Sequence, residues 1–450
     1  MKIGLVTLGC DKNTADNEYL AGLLAQRGHS VEVARDAKTR YDAVVITTCG
    51  FIEAAKAQSM CEIDRWAARK RQTGRPERLI VAGCLTQRYA EEVLQAYPEI
   101  DGLSGVGQFD ALADLIEEAD PASGDVCLAL ADKPSVRIDR PVPRLRLDRG
   151  PHAFLKIADG CDHGCSFCCI PRMKGPSVST PIDILIEEAK SLIAGGVKEI
   201  NVIGQDLTLY GRDFDSGKPG LEDLLERLDA LHGDFWIRLL YVYPGGVTDR
   251  LLELMARGGK ICPYLDVPLQ HLDPRMLKAM RRPGGSIGGE RLFERIRAAV
   301  PGVALRTTLL VGFPGETDAM FEAMLDAVKR MRVDRLGAFI YSREEGTPAY
   351  SLPDQIPPEV AQQRFDRLMR AQAEIAFELS RQRVGRRERV LLEGRDRERG
   401  AAIGRGRGDA FEIDGRVYVK GAGPKRMGQF ANVEIVAADG YDVWAKMLKD

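Results

Sequence analysis

The sequence predicts an α/β protein in three parts: an N-terminal parallel-sheet α/β domain, a central partial (β/α)6 barrel, and a small C-terminal antiparallel β-barrel. Two patterns predict it. Through most of the chain, short β-branched runs alternate with amphipathic helical stretches, which calls for parallel strands joined by right-handed crossovers. Beyond residue 384 the runs shorten and are separated by Gly- and Asp-rich turns, as in a small barrel. At 450 residues the chain has room for about three domains. The boundaries fall at residues 1–120, a linker over 121–146, then 147–383 and 384–450.

In the first part, apolar runs at residues 3–8, 42–47 and 79–82 are each followed by a helical stretch, at 17–26, 52–71 and 87–96. Each run leads into a cysteine: Cys10, Cys49 and Cys84. Parallel strands put their C-terminal ends on one edge of the sheet, where open α/β folds bind ligands. Three cysteines distant in sequence therefore converge, and they read as metal ligands. Cys61 and Cys127 lack that placement and read as buried small hydrophobes. A Pro- and Arg-rich stretch over 134–151 reads as the linker.

The alternation then resumes on a larger scale. Strands are expected at 153–158, 199–203, 236–241, 264–268, 304–311 and 335–340. Helices are expected at 181–194, 221–231, 248–256, 274–280, 291–299 and 318–330, with a long one over 358–383. Sites in such barrels lie at the C-terminal ends of the strands. The last part has alternating runs at 389–392, 410–413, 417–420, 432–436 and 443–447.

Composition excludes some classes. The net charge of −2 gives no sign of a polycationic nucleic-acid binder, and no apolar run reaches the length of a membrane span. Gly9-Cys10 follows too short an apolar stretch to end a signal peptide. Ten cysteines in a chain this long are too few for a disulfide scaffold, so a reducing, cytoplasmic setting is expected.

The chemistry concentrates where the first central strand runs into Asp159-Gly160-Cys161-Asp162-His163-Gly164-Cys165-Ser166-Phe167-Cys168-Cys169. Structural zinc wants four ligands, usually as two pairs. Three thiolates from one short loop suit three irons of a cubane and leave the fourth iron for a small molecule. A redox Cys-x2-Cys pair would leave the third cysteine and the strand position unexplained. Cys169 stands beside Cys168 and is read as a packed neighbour.

A three-cysteine loop after the first strand of a six-unit βα array resembles the radical S-adenosylmethionine (SAM) enzymes. With three further cysteines in an N-terminal domain and a small C-terminal barrel (TRAM-like), the whole chain resembles the methylthiotransferases. Its motifs are similar to those of the RimO-type branch, which acts on ribosomal protein S-twelve. They are Gly9-Cys10-Asp11-Lys12-Asn13, Asp16-Asn17-Glu18, Lys156-Ile157-Ala158-Asp159-Gly160-Cys161-Asp162-His163, Ile203-Gly204-Gln205-Asp206, Pro268-Leu269-Gln270-His271 and Tyr341-Ser342-Arg343-Glu344-Glu345-Gly346-Thr347-Pro348. The tRNA-modifying branch usually carries Gln-Ser-Gly-Ser where this chain has Gln270-His271-Leu272-Asp273, and Gln-Asn at Gln205-Asp206. Two departures are Asp11 in place of Pro, and Cys169-Ile170-Pro171-Arg172 in place of Ile-Ile-Pro-Ser.

The resemblance implies two 4Fe–4S clusters, each with three cysteine ligands: Cys10, Cys49 and Cys84 for one, Cys161, Cys165 and Cys168 for the other. SAM would chelate the open iron of the second cluster and, on one-electron reduction, give a 5′-deoxyadenosyl radical. That radical would take hydrogen from the β-carbon of an aspartate in ribosomal protein S-twelve, and the first cluster would supply the methylthio sulfur. The cofactor carries the hard chemistry and the protein orients it. Gly204, Gln205, Asp206, Gln270 and Arg306 are candidate SAM contacts. A flavodoxin or ferredoxin would be the reductant, and contact with RNA is allowed but not required. The alternatives are tRNA adenosine methylthiolation and, in another class, a non-catalytic iron–sulfur electron carrier.

Two further stretches invite readings of their own. Gly312-Phe313-Pro314-Gly315-Glu316-Thr317 lacks the Walker lysine and reads as a turn plus helix cap. The Arg-rich run 395–407 reads as either a solvated surface or a docking face.

Overall fold

The computed structural model describes residues 1–35, 39–131, 137–215, 219–282 and 288–448. It divides into two compact units. The first comprises Met1–Arg149, Lys156–His163 and Cys168–Ile184; the second comprises Gly150–Leu155, Gly164–Phe167 and Leu185–Asp450.

In the first unit, β1 (Lys2–Thr7), α1 (Asp11–Gln26), β2 (Ser30–Val33), β3 (Ala43–Thr48), α2 (Glu53–Thr73), β4 (Arg78–Gly83), α3 (Cys84–Ala96), β5 (Gly102–Ser104), α4 (Phe109–Glu118) and β6 (Cys127–Ala129) follow one another. They build a six-stranded sheet in the order β2-β1-β3-β4-β5-β6, with every pairing parallel. β3 is buried along its whole length, as a continuous Ala-Val-Val-Ile run must be when helices cover both faces. One core holds Leu20, Leu24 and, from α4, Leu112, Leu115 and Ile116; the other holds Ile63 and Trp66 of α2.

The stretch read as a linker is partly built into this unit. Its residues 127–129 are β6, and Leu145 N–H donates to the Glu18 carbonyl at 3.0 Å. Its residues 132–136 lie outside the described residues. Cys127 is half-buried and Cys61 is exposed on α2, so Cys61 is not the buried hydrophobe expected.

The central sheet runs β14-β13-β12-β11-β10-β7. Its elements are β7 (His152–Lys156), α6 (Ile182–Ala194), β10 (Glu199–Ile203), α7 (Leu221–Asp229), β11 (Trp236–Leu239), α8 (Asp249–Ala256), β12 (Ile261–Asp266), α9 (Pro274–Ala279), α10 (Gly289–Ala299), β13 (Ala304–Val311), α11 (Asp318–Met331), β14 (Arg335–Ile340) and α12 (Pro358–Arg381). After β7 come β8 (Ala158–Asp159), α5 (Ile170–Lys174) and β9 (Val178–Ser179), with β8 and β9 antiparallel. The sheet is open, a partial barrel. Thr317 caps α11 by accepting from Met320 N–H at 3.3 Å, which is the turn and cap read from Gly312–Thr317.

β15 (Arg387–Asp396), β16 (Ala401–Gly406), β17 (Val417–Lys420), β18 (Phe430–Asp439) and β19 (Asp442–Met447) close a barrel in the order β15-β16-β17-β19-β18. It is antiparallel except for β17 against β19, which is parallel. The run at 410–413 is no strand. Asp414 Oδ2 accepts from Ala410 N–H at 2.8 Å and Glu412 has φ +56°, so these residues turn. The second strand is instead β16, inside the Arg-rich run.

Candidate functional site: two sets of cysteines

β1, β3 and β4 are adjacent and parallel, so the residues following them share one sheet edge. Cys10 caps the N-terminus of α1, Cys49 follows β3, and Cys84 opens α3. The turns are too tight for other residues. Gly9 has φ +94°, and a Cβ there would lie 2.8 Å from Cys49 Cβ and 3.2 Å from its Sγ. Gly83 has φ +109°, and its Cβ would meet the Thr48 carbonyl oxygen at 2.8 Å. Asn13 Nδ2 donates to the Leu8 and Thr48 carbonyls at 2.7 and 3.2 Å, tying two of the turns together. Ser59 Oγ accepts from Cys49 N–H at 3.0 Å and donates to its carbonyl at 2.8 Å.

Burial pushes the Cys84 thiol up to about 12 and raises that of Cys49. The Lys174 ammonium opposes burial at both thiols. Lys174 itself, buried at the end of α5, is held cationic: burial works against its charge, and Asp159 chiefly overcomes it. Its Nζ lies 3.0 and 3.2 Å from the two Asp159 carboxylate oxygens, and Lys156 bridges Asp159 to Asp16.

In the same unit, Cys161 N–H donates to the Gly175 carbonyl at 3.1 Å, and Asp162 Oδ1 accepts from Ser177 N–H at 2.9 Å. Gly160, at φ +78°, could not carry a Cβ, which would sit 2.0 Å from the Pro176 carbonyl oxygen. Cys169 packs with Cys84, Val106 and Met173 in a small buried cluster. In the second unit, Cys165 is buried and its Sγ accepts from Arg282 Nη1 at 3.3 Å. Ser166 is clamped there: its N–H donates to the Met280 carbonyl at 3.0 Å and its Oγ to that of Ala279 at 2.8 Å.

The donor sets suit iron–sulfur cubanes. Among the described residues, no three His, Cys, Asp or Glu side chains converge on one metal ion. A cubane does not ask for that, because each thiolate binds a different iron and the three ring the cluster.

The other sequence candidates divide. Asp206 turns into its own loop, accepting from Thr208 N–H at 2.8 Å and Tyr243 N–H at 3.2 Å. Arg306 Nη1 pairs with Asp266 Oδ1 at 2.8 Å. Gln270 has φ +68° and bridges to β13, its N–H donating to the Thr308 carbonyl at 2.8 Å. Gly204 follows β10 directly, with Gln205 next. His271 is fully buried, with Nε2 3.2 Å from Glu316 Oε1, so it braces this loop. Lys174 and Arg282 were not singled out from the sequence, because a lone cation carries no spacing signal.

Three family models match the chain: the Radical SAM superfamily over residues 155–328, Uncharacterized protein family UPF0004 over residues 2–105, and the TRAM domain over residues 384–448. A protein of Desulforudis audaxviator named ribosomal protein uS12 methylthiotransferase RimO is 43% identical over 448 residues, 99% of this chain and 97% of that one. A protein of the same name from Geobacter sulfurreducens is 41% identical over 448 residues, 99% and 98% of the two chains. Among solved structures, the radical SAM methyltransferase TsrM from Kitasatospora setae, with cobalamin and a 4Fe–4S cluster bound, matches 78% of this chain and 77% of its own. The TM-score is 0.58 and the identity 18%, a likeness of fold.

Proposed function

Since the chain belongs to the RimO family of radical SAM methylthiotransferases, we propose that it places a methylthio group on the β-carbon of an aspartate in ribosomal protein uS12. The observation that carries this is the pair of cysteine sets: Cys10, Cys49 and Cys84 at one sheet edge, and Cys161, Cys165 and Cys168 in the loop after β7. Each would hold a 4Fe–4S cluster with three thiolates and one open iron. Held by Cys161, Cys165 and Cys168, a cluster with SAM bound would supply hydrogen-abstracting radical chemistry, and one held by Cys10, Cys49 and Cys84 would supply the sulfur.

This chain's own residues position and exclude. The Cys10, Cys49 and Cys84 turns are fixed by Gly9, Gly83, Asn13 and Ser59, and the base of the Cys161 loop by Gly160 and the β8–β9 pair. Gly204, Gln205, Gln270 and Arg306 are the proposed SAM contacts. Asp206, whose carboxylate also accepts from Thr208 and Tyr243 N–H, is the fifth proposed contact. No acid–base pair is required for hydrogen-atom abstraction, in keeping with a buried, Glu316-bound His271.

The division at residues 1–120, 147–383 and 384–450, with a connecting stretch over 121–146, is part of the proposal. So are a flavodoxin or ferredoxin as one-electron donor and a cytoplasmic setting beside the ribosome; RNA contact is not required. Among the described residues no helix is long and apolar enough to cross a membrane. The decisive assay offers reduced, reconstituted enzyme and SAM both uS12 and unmodified tRNA in one tube. A methylthio mass gain on uS12 is expected. A gain on tRNA alone overturns the assignment in favour of adenosine methylthiolation, and absence of SAM turnover in favour of electron carriage.

A further inference from the structure

Arg282 is 8% exposed, buried for an arginine. It follows α9 by three residues, and the residue before it, Arg281, has φ +53°, so the chain bends there to turn the side chain inward. Among the described residues, three groups contact the guanidinium. Nη1 donates to Cys165 Sγ at 3.3 Å, Nη2 donates to the Pro268 carbonyl at 2.8 Å, and Cζ lies 4.6 Å from the centre of the Tyr243 ring. No carboxylate pairs with it in these contacts, unlike Arg306 with Asp266 or Arg364 with Glu316. The sulfur is held as firmly as the donor. Ser166, the next residue, is fixed by Met280 and Ala279 from the same α9 end, and its carbonyl accepts from Ala349 N–H at 2.8 Å. The contact is thus set by backbone on both sides.

A buried charge is costly unless its surroundings answer it. A cubane with three thiolate ligands is anionic, and each electron it takes adds a negative charge. Hydrogen bonds to the sulfurs and nearby charge are what set the potential of such clusters.

We propose that Arg282 sets the reduction potential of the radical-generating cluster by a charge-assisted hydrogen bond to the Cys165 sulfur. The inference rests on Cys165 being a ligand of that cluster. The cation favours the reduced cluster over the oxidised one, so it brings the couple within reach of a one-electron donor of the flavodoxin or ferredoxin class. That donor is oxidised by one electron, the cluster is reduced by one, and no proton has to move. Fixing Pro268 with its other arm, Arg282 also ties the Cys165 sulfur to the loop that carries Gln270.

The test is a potentiometric titration of the reconstituted holoenzyme, following the paramagnetic resonance signal that changes on adding SAM. Arg282→Gln is expected to retain its iron and to shift the midpoint negative. A tenfold smaller reduced fraction at a fixed donor potential corresponds to about 59 mV for a one-electron couple. Arg282→Lys keeps the charge and should recover part of the shift. An unchanged midpoint in Arg282→Gln overturns the proposal. If Arg282→Gln does not assemble the cluster, Arg282→Lys decides: a negative shift supports the role, while an unchanged midpoint or loss of its iron too makes Arg282 a strut and overturns it. Absence of any SAM-responsive signal in the unaltered enzyme would refute the functional reading instead, so the two failures are distinguishable.

Discussion

Cys169 shows what one residue's surroundings decide. Beside Cys168 in sequence, it competes on spacing alone for a place as ligand. Its side chain is 2% exposed, with Sγ 3.5 Å from the Phe51 carbonyl oxygen and 4.0 Å from Met173 Sδ, and it packs among apolar residues beside Cys84. Cys169→Ala removes one buried sulfur, at a cost of about 1 kcal/mol for the small void. It should leave iron content and SAM cleavage near those of the unaltered enzyme, read by iron analysis and turnover. Loss of the SAM-responsive signal in this variant, with its survival in Cys168→Ala, would exchange the two roles. Glycines 9, 83 and 160 tell the same story from the other side: only the packing shows that a Cβ would strike Cys49, the Thr48 carbonyl or the Pro176 carbonyl.

Among the elements, β16 departs furthest from its sequence reading. The Arg-rich run suggested a solvated or docking surface, yet Arg405 is buried, 2.7 Å from Glu199 and from Glu393. Glu199 opens β10 and also takes Arg238 Nε at 2.6 Å, both side chains fully buried. Arg238 further donates to the Arg407 and Gly406 carbonyls, and Arg335 at the start of β14 pairs with Asp409 at 2.8 Å. The small barrel is therefore joined by buried charge to the N-terminal strand ends of the central sheet, not to the C-terminal edge where barrel sites lie. Cutting the chain after Gln382 would take Arg405 and the Gly406 and Arg407 carbonyls from the buried Glu199–Arg238 pair and Asp409 from Arg335, and one broken buried pair costs about 3–5 kcal/mol. The truncated protein should aggregate or lose its cooperative unfolding transition; a soluble, SAM-cleaving truncation would refute this anchoring. The acid limb follows with its sign. Burial raises the Glu199 pKa, but Arg238 and Arg405 outweigh it and hold the group at about 2. Its contribution is complete above the unfolded carboxylate value of about 4.3, and is lost as pH falls towards 2. Glu199→Gln should flatten that part of a stability–pH curve measured by denaturant unfolding. Strands with strong β-branched runs were legible to within a few residues, as at β10, β13, β14 and β17. The three-residue strands β5 and β6 were not, since so short a run has no period, and β16 was hidden because its charges find their partners on distant strands.

At the scale of the molecule, the question is whether the two cysteine sets act as separate cofactor sites. Cys10, Cys49 and Cys84 are all carried by the six-stranded sheet of the first unit, on turns whose backbone is completed by Asn13, Thr48 and Ser59. None of those contacts involves Cys165, which is set in the second unit by Arg282 and the Ser166 clamp. Removing Cys165 therefore leaves the turns of the first set intact. Three thiolates hold a cubane and two hold it poorly, so Cys165→Ala should reconstitute with about half the iron, one four-iron cluster in place of two. It should unfold cooperatively and no longer cleave SAM. Cys10→Ala is the reciprocal case: Cys10 is exposed at a helix N-terminus, so its loss perturbs little core. That variant should also keep about half the iron, should still cleave SAM, and should fail to methylthiolate uS12. Iron at background in either variant would mean that the sets do not assemble independently. SAM cleavage by Cys165→Ala would remove that cysteine from the radical-generating cluster.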